Sequence, residues 1–257
     1  MNASEETGVW LYAVTPEAGA ASALGGLTGV SAEHPRVVAA GTLVAVVGDV
    51  PLSSFGEEAL PRNLEDLDWL ATVARAHDAV IAALLDRGPV APVRLATMYH
   101  DDSSVRVAVE QRSADFERML EHVSGRVEWG VKAFLQTEPE PAAPVTSGEG
   151  AGAAYLARRR RALASSEERQ RQAAEQASHI HAALSELASD ACTHPPQSRA
   201  LTERDGPMVL NGAYLVDAER AEQFAEAVDS CDRDSALLTV TLTGPWPPYS
   251  FSSLEGS

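Results

Sequence analysis

Imidazole has the widest chemical range of the side chains in this sequence, since it acts as an acid, a base or a metal ligand near neutral pH. His77 lies on an apolar stripe of a predicted helix, without a partner motif. We interpret it as a core histidine bonded to a neighbouring group rather than as a catalytic base or metal ligand. His100, followed by Asp101 and Asp102, has the ligand types of a metal loop. Adjacent acids before a helix more often cap it, and we adopt that interpretation.

Two further histidines and the two cysteines form no catalytic pattern. His179 and His181 are two residues apart on a predicted helix, so their rings point in different directions. Cys192 and Cys231 form no CxxC pair, which indicates neither a disulfide framework nor a metal knuckle. The GxGxxG, P-loop, GxSxG and HExxH motifs do not occur. The sequence therefore predicts no catalytic residue, no cofactor and no metal.

Two sets of charged side chains are candidates for a structural pair or for partner binding. Arg94 and Glu128, on two predicted strands, would form an ion pair bridging two domains, because a buried cation requires a partner. Simple exposure of Arg94 is the alternative. A run of four arginines is either a solvated helix face or a site for an acidic protein partner. The run is Arg158, Arg159, Arg160 and Arg161.

The closing segment GPWPPYSF, residues 244–251, combines prolines with three aromatic rings. Its prolines remove donors that a sheet needs, so the segment must leave the last strand and run extended over the surface. Trp246, Tyr249 and Phe251 either pack within the chain or anchor a partner. We expect internal packing, against the second of two domains.

The charge balance argues against nucleic acid as a partner. Lys and Arg number 20 against 37 Asp and Glu, which gives a formal net charge of −17. Such a chain is repelled by phosphate backbones and by anionic membrane surfaces. No apolar run reaches the length of a membrane span, and the first residues carry acids where a signal peptide carries positive charge. We expect a cytoplasmic location.

The hydrophobic patterns predict a first α+β domain over residues 1–124. Pro92 marks an edge or a bulge in its last strand, and Asn63 is a suitable cap for its first helix. The predicted strands are 9–14, 36–40, 43–47 and 90–99, and the predicted helices are about 63–87 and 103–123.

A second domain is predicted over residues 125–257, with a long helical insertion at about 151–192 and the aromatic tail. Ser165 and Glu168 have the form of a capping box, which would divide the insertion into two helices. Both domains repeat a strand, helix, strand pattern. The expected fold is therefore α+β, with two ferredoxin-like domains, each a small, mostly antiparallel sheet covered by helices. The remaining predicted elements are strands at 127–136, 208–216 and 236–243 and a helix at 218–228.

Several stretches of the sequence resemble the GvpF/GvpL family of gas vesicle proteins, and they occur in the same order as in that family. The combination of EWGVK, residues 128–132, with the GPWPPYSF tail is the most specific part of the resemblance. Leu95 and Ala96 depart from it, because they replace the usual aromatic–glycine pair after Arg94. The other similar stretches are WLY at 10–12, LVAVV at 43–47, LDWL at 67–70, RAH at 75–77, PVR at 92–94 and NGAYLV at 211–216.

The resemblance implies an accessory or minor structural protein of gas vesicle assembly. Such a protein binds the hydrophobic shell protein, other accessory gas vesicle proteins, or both, in a chaperone-like manner, at the gas vesicle or in the cytoplasm. No catalytic activity comes with the resemblance. The alternative is a small-molecule sensor or enzyme on duplicated ferredoxin-like domains, which predicts a cavity with converging polar groups around His77 or His100.

Overall fold

Two β-sheets organise the protein. The computed structural model describes residues 6–16, 20–137, 151–197 and 206–252, although not the side chains of residues 151–155 and 158. The chain divides into two units, one of Met1–Glu128 with Trp246–Ser257 and the other of Trp129–Pro245. Each unit is described separately.

Strand β1 (Thr7–Pro16) lies inside the first sheet, antiparallel to β3 (Leu43–Pro51). Strand β2 (Arg36–Ala40) forms a hairpin with β3. Two short strands, β4 (Ala91–Pro92) and β5 (Met98–Tyr99), also pair with β1. The strand order is β2-β3-β1-β4, with β5 beside β1.

Helices cover both faces of the first sheet, and for this reason residues 8–15 of β1 are all buried. Trp10 and Tyr12 pack with the first set of helices, while Val9 and Leu11 pack with the second. The first set is α1 (Ala20–Ala23), α2 (Leu52–Phe55), α3 (Leu60–Asn63) and α4 (Leu67–Leu85). The second is α5 (Asp102–Gln111) and α6 (Ser113–Val123).

Three details of this unit differ from the sequence-based expectations. The strand expected at 90–99 is two short strands, because the chain leaves the sheet between Pro92 and Met98. The helix expected at 103–123 is broken at Arg112. Helix α4 is capped by Asp66, whose carboxylate accepts bonds from the backbone of residues 68 and 69, whereas Asn63 ends α3.

The second sheet has the order β7-β8-β6-β9, which matches the first when strands are counted within each unit: second, third, first, fourth. This is the ferredoxin-like order, so the expected α+β fold with two sheets covered by helices is confirmed. Its strands are β6 (Arg126–Leu135), β7 (Asp190–Thr193), β8 (Met208–Asp217) and β9 (Leu238–Trp246). Its helices are α7 (Ala151–Ser185) and α8 (Ala221–Asp234), with a 3-10 turn at Ala218–Arg220.

Helix α7 is continuous, so Ser165 caps no second helix. Only its later half joins the core of the second unit, through four residues on one side: Ala173, Ala177, Ile180 and Leu184. Leu156 and Leu163, in the earlier half of the helix, are exposed and do not join this core. The chain then enters β7, where the sequence predicted helix to about 192.

The tail does not stay with the second unit. Residues 246–252 belong to the first unit, whereas the sequence placed them in the second domain. Strand β9 continues through Pro245 to Trp246, beyond the end predicted at residue 243, and Tyr249–Phe251 forms a 3-10 turn. Hydrogen bonds to first-unit residues, described below, account for this position.

Candidate partner-binding surfaces

His77 lies in the buried core of the first unit, with 1% of its surface exposed. Its Nδ1 accepts a hydrogen bond of 3.0 Å from Nε1 of Trp10, so the ring proton lies on Nε2, which donates to the Val93 carbonyl at 3.2 Å. Burial lowers the pKa of His77. A neutral imidazole with both nitrogens bonded internally is a structural group rather than a base or a ligand.

The rings of two tyrosines, Tyr12 and Tyr249, stack with the imidazole of His77. The ring of Tyr12 lies 5.2 Å from the imidazole and that of Tyr249 lies 6.5 Å away. The Tyr12 hydroxyl donates to Glu33, whose carboxylate also accepts from the backbone N–H of Ser31 at 2.8 Å. Sequence reasoning missed this Glu33 network, because Glu33 lies in a loop and no local motif connects it with Tyr12.

The tail is fixed to the first unit by four hydrogen bonds from three of its residues. The Tyr249 hydroxyl donates to Asp78 at 2.7 Å. Ser250 donates twice to Glu128, from its backbone N–H at 2.9 Å and from its hydroxyl at 2.6 Å. The Ser252 hydroxyl donates to the Pro92 carbonyl at 3.3 Å. We call residues 246–252 the tail strap.

The three tail aromatics have different surroundings. Tyr249 packs against the core cluster that contains Trp10 and Tyr12, and Phe251 is half-buried. Trp246 is 53% exposed. Of the three, Trp246 therefore offers the largest exposed ring to a partner.

The ion pair expected between Arg94 and Glu128 is replaced by another arrangement. Glu128 is buried and takes the two hydrogen bonds from Ser250, whereas Arg94 is exposed. A carboxylate loses less on burial when it is hydrogen-bonded, and the strap supplies those donors.

The acids beside His100 serve the fold. Asp101 caps α5, where its carboxylate accepts from the Ser104 backbone at 2.7 Å. Asp102 accepts two bonds of 2.8 Å from Arg36. In the described part of the chain, no three His, Cys, Asp or Glu side chains are grouped as metal ligands.

A depression of about 400 Å³ lies along α5, from Tyr99 to Gln111. It is lined by Tyr99, by Val107 and by small or polar residues of the same helix, including Asp101 and Ser104. The Asp101 carboxylate and the Ser104 hydroxyl bond to each other at 2.8 Å. The depression therefore offers a ligand fewer convergent polar groups than its composition suggests.

The histidines of the second unit are not paired with each other. The His181 ring shares a 2.8 Å hydrogen bond with the Tyr214 hydroxyl, and His179 is exposed. Cys192 and Cys231, which both lie in the described part of the chain, are not joined in a disulfide, and Sγ of Cys192 lies 3.9 Å from Nε2 of His194.

The arginine run lies in the earlier half of α7. Arg159, Arg160 and Arg161 are exposed, and the side chain of Arg158 lies outside those described. Leu156 and Leu163, on the same stretch, are each 56% exposed. Apolar and cationic side chains therefore share an accessible helical segment.

Some backbone groups of the outer strands β2 and β9 are hydrogen-bonded to side chains from other parts of the chain. In β9, Asp232 accepts from the Val240 N–H at 2.7 Å, and Ser235 accepts from the Leu238 N–H at 2.8 Å. In β2, Arg106 donates to the Ala39 carbonyl at 3.0 Å. These contacts hinder pairing with a foreign strand.

A family model described as "Gas vesicle synthesis protein GvpL/GvpF" matches residues 8–253 of the chain. The match covers almost the whole sequence. The chain belongs to the GvpL/GvpF family of gas vesicle synthesis proteins. The resemblance of its motifs to this family is confirmed.

Curated relatives of this GvpL/GvpF chain include two gas vesicle proteins of one Streptomyces strain. The chain is similar to gas vesicle protein L of Streptomyces sp. (strain CB03234), with 45% identity over 89% of this chain and 87% of the relative. It is also similar to gas vesicle protein F of the same strain, with 27% identity over 84% and 87%. A role connected with gas vesicles follows from this membership.

Two solved structures share the fold. The GvpF crystal structure from Anabaena sp. PCC7120 aligns with a TM-score of 0.64 at 17% identity, covering 97% of this chain and 98% of that one. GvpF from Microcystis aeruginosa aligns with a TM-score of 0.59, also at 17% identity, over 96% and 99%. Among the described residues of this GvpL/GvpF chain, no helix is both long and apolar enough to cross a membrane.

Proposed function

We propose that this protein is a non-enzymatic accessory factor of gas vesicle assembly. It binds the hydrophobic shell protein, other accessory gas vesicle proteins, or both, and acts on the shell protein as a chaperone. The observation that carries the proposal is the match of residues 8–253 to a family described as acting in gas vesicle synthesis. The higher identity to protein L than to protein F of one strain favours an L-type role.

The physical task of such a factor is to cover apolar surface before assembly. A β-rich subunit awaiting assembly exposes apolar side chains and strand edges, which aggregate unless they are covered. The net charge of −17 repels like complexes from one another. Binding would therefore keep the subunit dispersed.

The accessible apolar side chains support helical and tail surfaces as the binding regions. Leu156 and Leu163 of α7 and Trp246 of the strap are each more than half exposed. The blocked outer groups of β2 and β9 make addition of a partner strand there less favourable. Helix α7 is the stronger candidate, because it combines exposed apolar groups with charge.

The distribution of titratable groups supports binding rather than catalysis. His77 has both ring nitrogens bonded internally, Asp101 caps a helix, and Asp102 pairs with Arg36. A sensor or enzyme needs polar groups that converge on a ligand. The depression beside α5 uses its main polar groups within the protein, so this alternative receives no support from it.

The proposal is tested by following aggregation of purified shell subunit by light scattering as it is diluted out of denaturant. We expect equimolar full-length protein to reduce the scattering several-fold, while an unrelated globular protein of similar size and negative charge does not. Equal scattering with and without the protein would show that it is no chaperone for the shell subunit.

Whether the protein stays on the finished gas vesicle is tested by a separate measurement. Recovery in washed gas vesicles would place it among the minor structural components at the vesicle. Recovery only in the supernatant would place it in the surrounding cytoplasm as an assembly factor.

A further inference from the structure

In the earlier half of α7, none of the described side chains joins the core of the second unit. At 1.5 Å per residue, the 35 residues of α7 span about 52 Å. Its core contacts begin only at Ala173. From residue 156 to residue 168, every described side chain is exposed. An isolated helix gains little stability from propensity alone, so an exposed segment of this length suits a partner.

Two leucines and two arginines form one face of this segment. Leu156 and Leu163 are seven residues apart, which places them about 20° from each other around the helix. Arg159 follows Leu156 by three residues and precedes Leu163 by four, whereas Arg160 has the reverse spacing. Residues three or four apart are neighbours on a helix, so both arginines lie between the leucines.

Arg161 points the other way. At about 100° per residue, it lies about 140° from Leu156 around the axis. The face therefore consists of Leu156, Arg159, Arg160 and Leu163, and we call it the Leu–Arg face. Arg161 has the same charge and exposure but lies outside it.

The charge of this face contrasts with that of the molecule. Further along α7, Arg171 is paired with Glu168 at 2.6 Å and with Glu175 at 2.6 Å. No carboxylate lies three or four residues from Arg160 in the sequence. A compact cationic face on a chain of net charge −17 attracts acidic groups that the rest of the protein repels.

We propose that the Leu–Arg face docks an acidic amphipathic helix of another gas vesicle protein. Apolar residues of the incoming helix would pack between Leu156 and Leu163, and a flanking carboxylate would pair with Arg160. The seven-residue spacing of the leucines matches the repeat of paired helices. This inference assigns a binding surface to the proposed function. It rests on that function only in taking the partner to be a gas vesicle protein.

The test uses the full-length protein and a defined probe. The probe is a fluorescein-labelled, helix-stapled peptide of about three heptads, with leucines on one face and glutamates beside them. Binding is measured by fluorescence anisotropy at two salt concentrations. Because the net charge of the protein opposes an acidic peptide, nonspecific attraction does not favour it. We expect saturable binding that weakens as salt increases.

Neighbouring arginines supply the matched control. Arg160→Glu should raise the dissociation constant of the peptide at least fivefold, and Arg161→Glu, with the same change of charge, should alter it less than twofold. Leu156→Ala with Leu163→Ala should weaken binding about tenfold, because the apolar contact is lost. Circular dichroism checks that each exposed variant keeps its helix content.

Three results would overturn the inference. They are absence of binding by the wild type, equal losses in Arg160→Glu and Arg161→Glu, and self-association of the free protein that Arg160→Glu abolishes. The last would assign the face to a second copy of the chain. Because the shell subunit is absent from this test, its failure leaves the aggregation result of the proposed function intact.

Discussion

His77 accepts one hydrogen bond and donates another inside the core of the first unit. The helical stripe was sufficient to place it in the core, and the absence of a partner motif argued against catalysis. The identity of its partners, Trp10 and Val93, was not predictable, because they lie 67 and 16 residues away in the sequence.

The buried neutral state of His77 makes stability depend on pH. Burial lowers the pKa of His77 in the folded state, so between that value and its unfolded value near 6.5 the unfolded chain binds more protons. This contribution is complete above pH 6.5 and is lost as pH falls below it. We expect the free energy of unfolding to decrease by up to about 1.4 kcal/mol per pH unit there.

The measurement is urea unfolding at several pH values, compared with His77→Gln. Carboxylates contribute equally to both proteins, so the difference between the two curves isolates His77. Curves that stay parallel between pH 6.5 and 5 would contradict the assignment.

Ala96 adopts a backbone conformation that favours glycine. Its φ is +67°, in the left-handed region, and this is the position where the family pattern has glycine. Relief of this strain is worth about 1–2 kcal/mol, against roughly 0.5–1 kcal/mol for the added flexibility of glycine. We expect Ala96→Gly to raise the thermal midpoint slightly, as measured by differential scanning calorimetry. Ala91→Gly, in β4 and without positive φ, should lower it instead.

At the scale of elements, helices and strands of five or more residues follow from local pattern, but strands of two to four residues do not. Strand β2 was predicted with its observed bounds, because an apolar run and a turn define it. Strand β7 has only four residues and forms through its pairing with β8, so tertiary contact decides its structure. Strands β4 and β5 were merged in the prediction for the same reason.

The side chains that block β9 should protect the protein from self-association. Asp232→Ala with Ser235→Ala frees the N–H groups of Val240 and Leu238. We expect a loss of about 1–3 kcal/mol in unfolding free energy and faster aggregation, followed by analytical ultracentrifugation. Asp229→Ala, on the exposed surface of the same helix, is the control and should match the wild type. A monomeric double variant would show that the edge needs no such protection.

At the scale of the whole molecule, the fold class and the duplicated sheets were predictable, and the path of the tail was not. Proline spacing showed that the tail leaves β9 but carried no information about its destination. That destination depends on Asp78, Glu128 and Pro92, which are distant in sequence. The Leu–Arg face was partly visible in the sequence as an arginine run, whereas the exposure of Leu156 and Leu163 beside it was not predicted.

The tail strap should stabilise the first unit without a comparable effect on the second. Tyr249→Ala removes the ring near His77 and the bond to Asp78, so we expect a loss of about 2 kcal/mol. Tyr249→Phe keeps the ring and should lose less than half as much. Hydrogen exchange should become faster in peptides of β1 and α4, while peptides of β8 provide the internal control. Equal acceleration in β8 would contradict this local role.

The tail strap also bears on the order in which the protein matures during synthesis. The first unit needs residues that the ribosome adds after the second unit, because the 117 residues of Trp129–Pro245 lie between Glu128 and Trp246. At about 5–20 residues per second, translation of that stretch takes roughly 6–24 s. During this interval the chain lacks Tyr249, which stacks with His77, and Ser250, which donates to Glu128. A nascent chain is therefore incomplete in its first unit until the second has been made, and a stop codon before residue 246 would damage the end of the protein that was synthesised first.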